Sequence, residues 1–175
     1  MSGRRASFRK SRGLPIAEMT LLATLGYSAQ ALAALGFGWI SDWWTRAGRS
    51  EARVRRWMMM LGQLLAAVAV AGLTYARDPL EIAVLLCLAG IATGALSLNI
   101  YAVAQMFASP RAAGTWVGVQ NAIGNLSGIL GPIVTGIIVD RAGYTAAFYL
   151  TAAVAAFGAL WWIFGVPRIE AVKLD

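Results

Sequence analysis

Six of the polar side chains inside the long apolar stretches of this chain are candidates for contact with a solute. They carry hydroxyl or amide groups, which donate and accept hydrogen bonds without bearing a charge at neutral pH. The six are Tyr27, Gln30, Tyr101, Gln105, Asn121 and Asn125. Hydrogen bonding to the hydroxyls of a solute is the chemistry that such groups could perform. The middle of these stretches holds no Arg, Lys, Asp or Glu, so the sequence shows neither an anion clamp nor a proton relay.

The two asparagines belong to a longer polar stripe. Its members recur at spacings of three and four, which places them on one face of a helix. They are Gly114, Gly118, Asn121, Asn125, Gly128 and Pro132. An amide in hydrocarbon needs a partner in another helix or in a watery cavity. The stripe fits either a substrate pathway or a seam of small and polar residues between helices, and two asparagines within about one turn favour the pathway.

The other four candidates form two pairs. Tyr101 and Gln105 continue a stripe that begins at Gly90 and Gly94, two glycines more typical of helix packing than of binding. Tyr27 and Gln30 are three residues apart on an earlier helix, a spacing at which both side chains could face one cavity with the other candidates.

Catalytic and metal chemistry have little support. The chain has no His and a single Cys, Cys87, which excludes a disulfide framework and a thiolate metal site. No nucleophile, base or metal set is visible within the apolar stretches, so we expect no enzyme activity, no cofactor and no metal.

The elements that must position these residues are membrane helices. Hydrophobic residues make up 59% of the chain and charged residues 13%, and the mean hydropathy is +0.65. A spanning helix needs roughly 20 mostly apolar residues. We therefore predict an all-α membrane protein with five transmembrane helices, preceded by a basic tail (1–14) and followed by a C-terminal tail (167–175). The five windows are 15–41, 57–76, 80–107, 115–139 and 144–166.

Two other interpretations of the basic start of the chain are weaker. A signal peptide is disfavoured because the apolar run continues through Ile40, beyond the roughly 7–15 residues of a secretory core. The net charge of +7 does not indicate nucleic-acid binding, since the positive charge clusters at membrane edges.

A short pattern occurs twice at the ends of apolar stretches. The first copy spans Gly38 to Asp42, and the second runs from Gly136 through Asp140 and Arg141 to Gly143. The two aspartates are 98 positions apart, which indicates an internal repeat of about three membrane helices, as in secondary transporters.

The basic residues predict an orientation. The first loop, the third loop and the C-terminal tail hold eight Lys and Arg, whereas the second and fourth loops hold two. This asymmetry places the first loop and the C-terminus in the cytoplasm. The five basic residues of the N-terminal tail contradict it, and together with the odd number of spans they suggest a truncated chain.

These motifs resemble those of the major facilitator superfamily. Gly38 and Asp42, followed by Arg46, Gly48 and Arg49, resemble the cytoplasmic loop signature between helices eight and nine, although Trp43 stands where the family usually has a basic residue. The stretch from 101 to 132 resembles helices ten and eleven of the anion:cation symporter branch. The likeness covers about residues 14–167. It implies a partial C-terminal bundle, helices eight to twelve of a twelve-helix carrier.

The resemblance implies a function and partners. It implies a secondary symporter of organic anions, such as sugar acids or carboxylates, coupled to protons or sodium, in the inner (plasma) membrane. Asp42 with Arg46 or Arg49 would form a gating charge network. The lipid bilayer, and a missing N-terminal half or another membrane chain, would be its partners. The alternative is a scaffold or partner subunit that keeps a half-carrier fold without transporting.

Overall fold

The described part of the chain is helical throughout. The computed structural model describes residues 16–108, 112–166 and 169. Its helices are α1 (Ile16–Arg46), α2 (Glu51–Gly72), α3 (Pro79–Phe107) and α4 (Ala113–Leu160), and a π-helical turn (Trp161–Gly165) follows α4. All four helices are long and apolar enough to cross a membrane. The prediction of an all-α membrane protein is confirmed, whereas the basic tail and all of the C-terminal tail except Ile169 lie outside the described residues.

The predicted count of five separate helices is corrected to four continuous ones, because the fourth and fifth windows are joined within α4, which Gly143 divides into two halves. Residues 140–142, which we expected in a turn, remain helical. The break comes at Gly143, with φ +82° and ψ 171°, a combination open essentially only to glycine. Trp116, near the start of α4, and Trp161, just beyond its end, line the same groove. The chain therefore reverses direction at Gly143.

The first loop is shorter than expected. We predicted a polar connection from Asp42 to Arg56, but α1 continues to Arg46 and α2 begins at Glu51. With its 31 residues, α1 is about 46 Å long, against about 30 Å of bilayer hydrocarbon. The ends of α1 and α2 can extend into the headgroup region, where charged residues are tolerated, so the first charge does not mark the end of the helix.

The backbones of α1 and α3 come into close contact, and the two helices run parallel. A Cβ atom on Gly90 would overlap the carbonyl oxygen of Gly26, and one on Gly94 would meet Ala33 at 2.9 Å. Further along, Gly38 faces Leu98. Hydrocarbon provides no hydrophobic driving force between helices, so close van der Waals packing at small residues holds such pairs together.

A buried polar contact joins α2 to α3. Asn99 is 2% exposed. Its Oδ1 accepts a hydrogen bond from Arg55 Nη1 (3.2 Å), and its Nδ2 donates to the carbonyl oxygen of Ala95 (2.7 Å). The guanidinium of Arg55 also pairs with the Glu51 carboxylate (2.7 Å). The amide and guanidinium thus satisfy each other where α2 begins and α3 approaches its end.

The second half of α4 runs antiparallel to α2. At one end, the Tyr75 and Tyr149 hydroxyls are 2.8 Å apart, a hydrogen bond that raises the pKa of the Tyr75 phenol. At the other end, Arg56 donates to the carbonyl oxygens of Trp162 (3.1 Å) and Ile163 (2.9 Å). Arg56 therefore caps carbonyls that the end of the helix leaves without an intrahelical donor.

We predict opposite effects for two glycine substitutions in helix interiors. Gly90→Ala should lower the free energy of unfolding of the chain in detergent by about 1–3 kcal/mol, because the new methyl group forces α1 and α3 apart. Gly128→Ala is the matched control, since a Cβ there meets nothing within 4 Å. It should leave stability unchanged or raise it by about 0.5–1 kcal/mol. Equal effects on thermal unfolding would contradict the close contact.

A second pair of variants tests the contact between α2 and α3. Asn99→Leu should destabilise the chain by about 1–3 kcal/mol, because Nη1 of the part-buried Arg55 side chain loses its acceptor while the Glu51 contact remains. Asn125→Leu removes an exposed amide that bonds only to its own helix, so the unfolding temperature should stay within error of the original. An unchanged unfolding temperature for Asn99→Leu would show that the contact contributes nothing.

Candidate functional site

The structure brings three of the predicted pathway residues together. Tyr101 on α3 donates from its hydroxyl to Asn121 Oδ1 on α4 at 3.2 Å. One turn further along α4, Asn125 Nδ2 donates to the carbonyl oxygen of Asn121 at 2.8 Å. The Tyr101 side chain remains 43% exposed, and both asparagines are exposed. The group can therefore still present hydrogen-bonding atoms to a solute or to another chain.

The polar stripe of α4 is an open face within the described structure. Every residue from 121 to 137 is exposed. A Cβ added at Gly118, Gly124 or Gly128 would meet nothing within 4 Å. The sequence left two interpretations of this stripe, a substrate pathway and a packed seam between helices. The glycines of the stripe form no packed seam with any described helix. The face is left to a cavity, to lipid or to a further protein surface.

The pathway candidates on α1 lie apart from this group. Tyr27, which is 73% exposed, and the half-buried Gln30 line a groove of about 510 Å³ between α1 and α3. Gln30 packs at the level of Gly90 and Gly94, roughly 10–16 Å along α3 from Tyr101. Helix α1 does not contact α4.

Gln105 is exposed on α3, one turn beyond Tyr101. The six candidates thus form a group around Tyr101 and Asn121, with Gln105 adjoining it, and a separate pair on α1. No charged side chain lines the groove that holds the α1 pair.

A second groove was not expected from the sequence. It measures about 590 Å³ and lies between the end of α3, the start of α4 and the π-helical turn. Its walls are apolar and rich in tryptophan, with Trp116, Trp161 and Trp162 among them. Gln120 also lines it, and its buried Oε1 has no hydrogen-bond partner in the described structure. Sequence periodicity could not reveal a groove made by three separate segments.

The loop signature that starts at Gly38 ends α1 with a glycine cap. Gly48 has a φ of +84°. Its N–H donates to the carbonyl oxygen of Thr45 (3.0 Å), and the N–H of Arg49 donates to the carbonyl oxygen of Trp44 (3.2 Å). This pair of bonds is the Schellman arrangement, which favours glycine at the left-handed position. Gly48 of the loop signature therefore ends α1 by forming its C-terminal cap.

The expected charge network is not formed in this conformation. Asp42 is exposed, and no ion pair joins it to Arg46 or Arg49 within the described residues. The guanidinium of Arg49 lies instead over the Trp44 ring, 5.7 Å from its centroid.

The two copies of the repeat lie at opposite ends of the bundle. Asp42 follows α1 to the end where α3 finishes and α4 begins, whereas Asp140 is at the far end of the first half of α4. Asp140 and Arg141 are exposed, and Gly136 has open space around it. Gly48 and Gly143 are the positive-φ residues of the described chain, so a glycine redirects the backbone six residues after the aspartate of the first copy and three residues after that of the second.

Sequence reasoning missed the arginines that tie the helices together. Arg55 and Arg56 were counted only as basic residues of a loop, but they bond to Asn99 on α3 and to carbonyls beyond α4. Their partners are 44 and 106 positions away, so no local pattern could have identified them.

The chain is similar to known membrane transporters. A D-galactonate transporter of Escherichia coli is 29% identical over 93% of this chain. Two chloroplast proteins of Arabidopsis thaliana are each 30% identical: an ascorbate transporter over 84% of the chain and sodium-dependent phosphate transport protein 1 over 83%. The chain spans 37% of the length of the first relative and 27% and 28% of the other two.

The family profile described as Major Facilitator Superfamily matches residues 6–174, nearly the whole chain. Helix content, the repeat and the relatives agree with this match. The family is one of transporters rather than of enzymes, and the chain is a multi-pass membrane protein. It belongs to the major facilitator superfamily.

Proposed function

We propose that this chain serves in the secondary symport of organic anions, such as sugar acids or carboxylates. The observation that carries the proposal is the Tyr101–Asn121 hydrogen bond on the open polar face of α4. A hydroxyl and amides that remain exposed at the depth of a membrane helix can replace the water around the hydroxyls of a sugar acid. The D-galactonate transporter among its relatives supports this substrate class.

The carboxylate of such a substrate would need a partner from outside the described helices. Neither the group around Tyr101 nor the groove at Tyr27 contains a described charged side chain. We propose that a second bundle, from further helices of the same polypeptide or from another membrane chain, covers the open face of α4. That bundle would supply the charged groups for the anion and for the coupling proton or sodium.

We further propose an orientation and a gate. The first loop and the C-terminus would face the cytoplasm of a plasma-membrane carrier, as the basic residues of the loops favour. Asp42 would pair with Arg46 or Arg49 in one conformation of the carrier and release them in the other. The conformation described here, in which Arg49 lies over Trp44, would then be the released one.

Transport in membrane vesicles tests the proposal. In vesicles from cells that express the protein, labelled D-galactonate should accumulate when a proton or sodium gradient is imposed. Asn121→Leu should lower the initial rate about tenfold, because it removes the amide that bonds Tyr101 and faces the solute. Ser127→Ala should leave the rate unchanged, since that hydroxyl bonds only to its own helix.

Two further results would decide between the alternatives. The purified chain in liposomes should show no uptake, because alternating access needs two bundles that move against each other. Uptake by the chain alone would overturn the requirement for a second bundle. Stable association with another membrane protein, with no flux of any tested anion, would favour the non-transporting scaffold.

A further inference from the structure

A third groove lies where the first loop meets α2, away from the proposed pathway. It measures about 660 Å³ and is formed by the end of α1 and the first turns of α2. Trp44, Gly48 and Arg49 line it from the side of α1 and the loop. Ser50, Arg53, Val54, Trp57 and Leu61 complete it. It is the groove at this end of the described chain that combines positive charge with an apolar floor.

The two arginines of this groove have no acidic partner in the part of the chain that the structure describes. The Glu51 carboxylate is taken by Arg55, and neither Arg49 nor Arg53 makes an ion pair within the described residues. Both are exposed. The guanidinium of Arg49 lies over the Trp44 ring, 5.7 Å from its centroid, and this cation–π contact holds the charge beside the groove. Two positive charges therefore face the groove without an ion pair to any described carboxylate.

Along one face of α2, the side chains change from charged at Arg53 to aromatic at Trp57 and aliphatic at Leu61. Arg53, Trp57 and Leu61 are four residues apart, so they lie in one row along α2. Trp57 is 51% exposed and Leu61 57% exposed, and both belong to a helix that crosses the membrane. The row therefore leads from the headgroup region, through the interface that tryptophan favours, into hydrocarbon.

We propose that this groove binds one anionic phospholipid. The phosphate would bond to the guanidinium groups of Arg49 and Arg53, the glycerol region would lie against Trp57, and an acyl chain would follow Leu61. A zwitterionic lipid fits less well, because its cationic headgroup would meet two arginines. A soluble phosphate could satisfy the charges but would leave the apolar floor beside Trp57 and Leu61 without contacts.

Native mass spectrometry of the full chain in detergent tests the site. Phosphatidylglycerol, phosphatidylcholine and inorganic phosphate would be titrated separately. We expect one phosphatidylglycerol to bind well before any second copy and at least tenfold more tightly than phosphatidylcholine. Arg53→Gln should weaken this first binding about fivefold, and Arg49→Gln with Arg53→Gln about 25-fold. Trp57→Ala should weaken the binding of phosphatidylglycerol without altering any binding of inorganic phosphate.

Arg46→Gln is the matched control. Arg46 is exposed near the same loop and has no described acidic partner, but it does not line the groove. It should leave lipid binding unchanged, and unaltered helix content by circular dichroism in each variant would show that the fold is retained. Equal weakening by Arg46→Gln, equal binding of the two lipids, or binding of inorganic phosphate as tight as that of the lipid would each overturn the proposal.

Discussion

The contact between the backbones at Gly26 and Gly90 is the constraint on which the arrangement depends. Helices in hydrocarbon gain nothing from hiding apolar surface, because lipid is as apolar as leucine. They stay together only where they fit closely or share polar contacts. Two glycines and the small residues around Gly94 bring α1 and α3 together in parallel. This pairing makes α3 the central helix, which also contacts α2 and the start of α4.

Polar contacts add to close packing where α2 meets α3 and the end of α4. Asn99 and Arg55 bind α2 to α3, and Arg56 holds the turn beyond α4. These three side chains lie at one end of the bundle, near the short first loop. The first half of α4, in contrast, leaves its length open and meets α3 mainly near Tyr101. The fold thus separates a closely packed support, formed by the first three helices and the end of α4, from an open polar face.

Apolar length and turn residues predicted the helices, because any backbone in hydrocarbon must satisfy its own hydrogen bonds. Helix α3 begins at Pro79, one residue before the predicted window, in the first helical turn that suits proline. Helix ends near Asp42 and Glu51 were misjudged, since charged residues continue a helix once it leaves the hydrocarbon. The reversal at Gly143 was predicted as a loop, but only its φ and ψ show that a single glycine carries the break.

The site was predictable only in part. Spacing along one helix placed Asn121 and Asn125 on one face, and their bond is local. The Tyr101–Asn121 contact, the tryptophan groove and the Arg55–Asn99 pair depend on how separate helices pack, which local spacing does not encode. The separation of Gln30 from Tyr101 likewise follows from the level at which α1 meets α3.

The central claim is that the two copies of the repeat lie on opposite faces of the membrane. It is tested by labelling single cysteines in sealed vesicles with an impermeant maleimide. Ala47→Cys and Ala142→Cys, both at exposed positions, would each be placed in a Cys87→Ser background. We expect the reagent added outside to label one of these two cysteines, and to label the other only after the membrane is permeabilised. Labelling of both from the same side would contradict it.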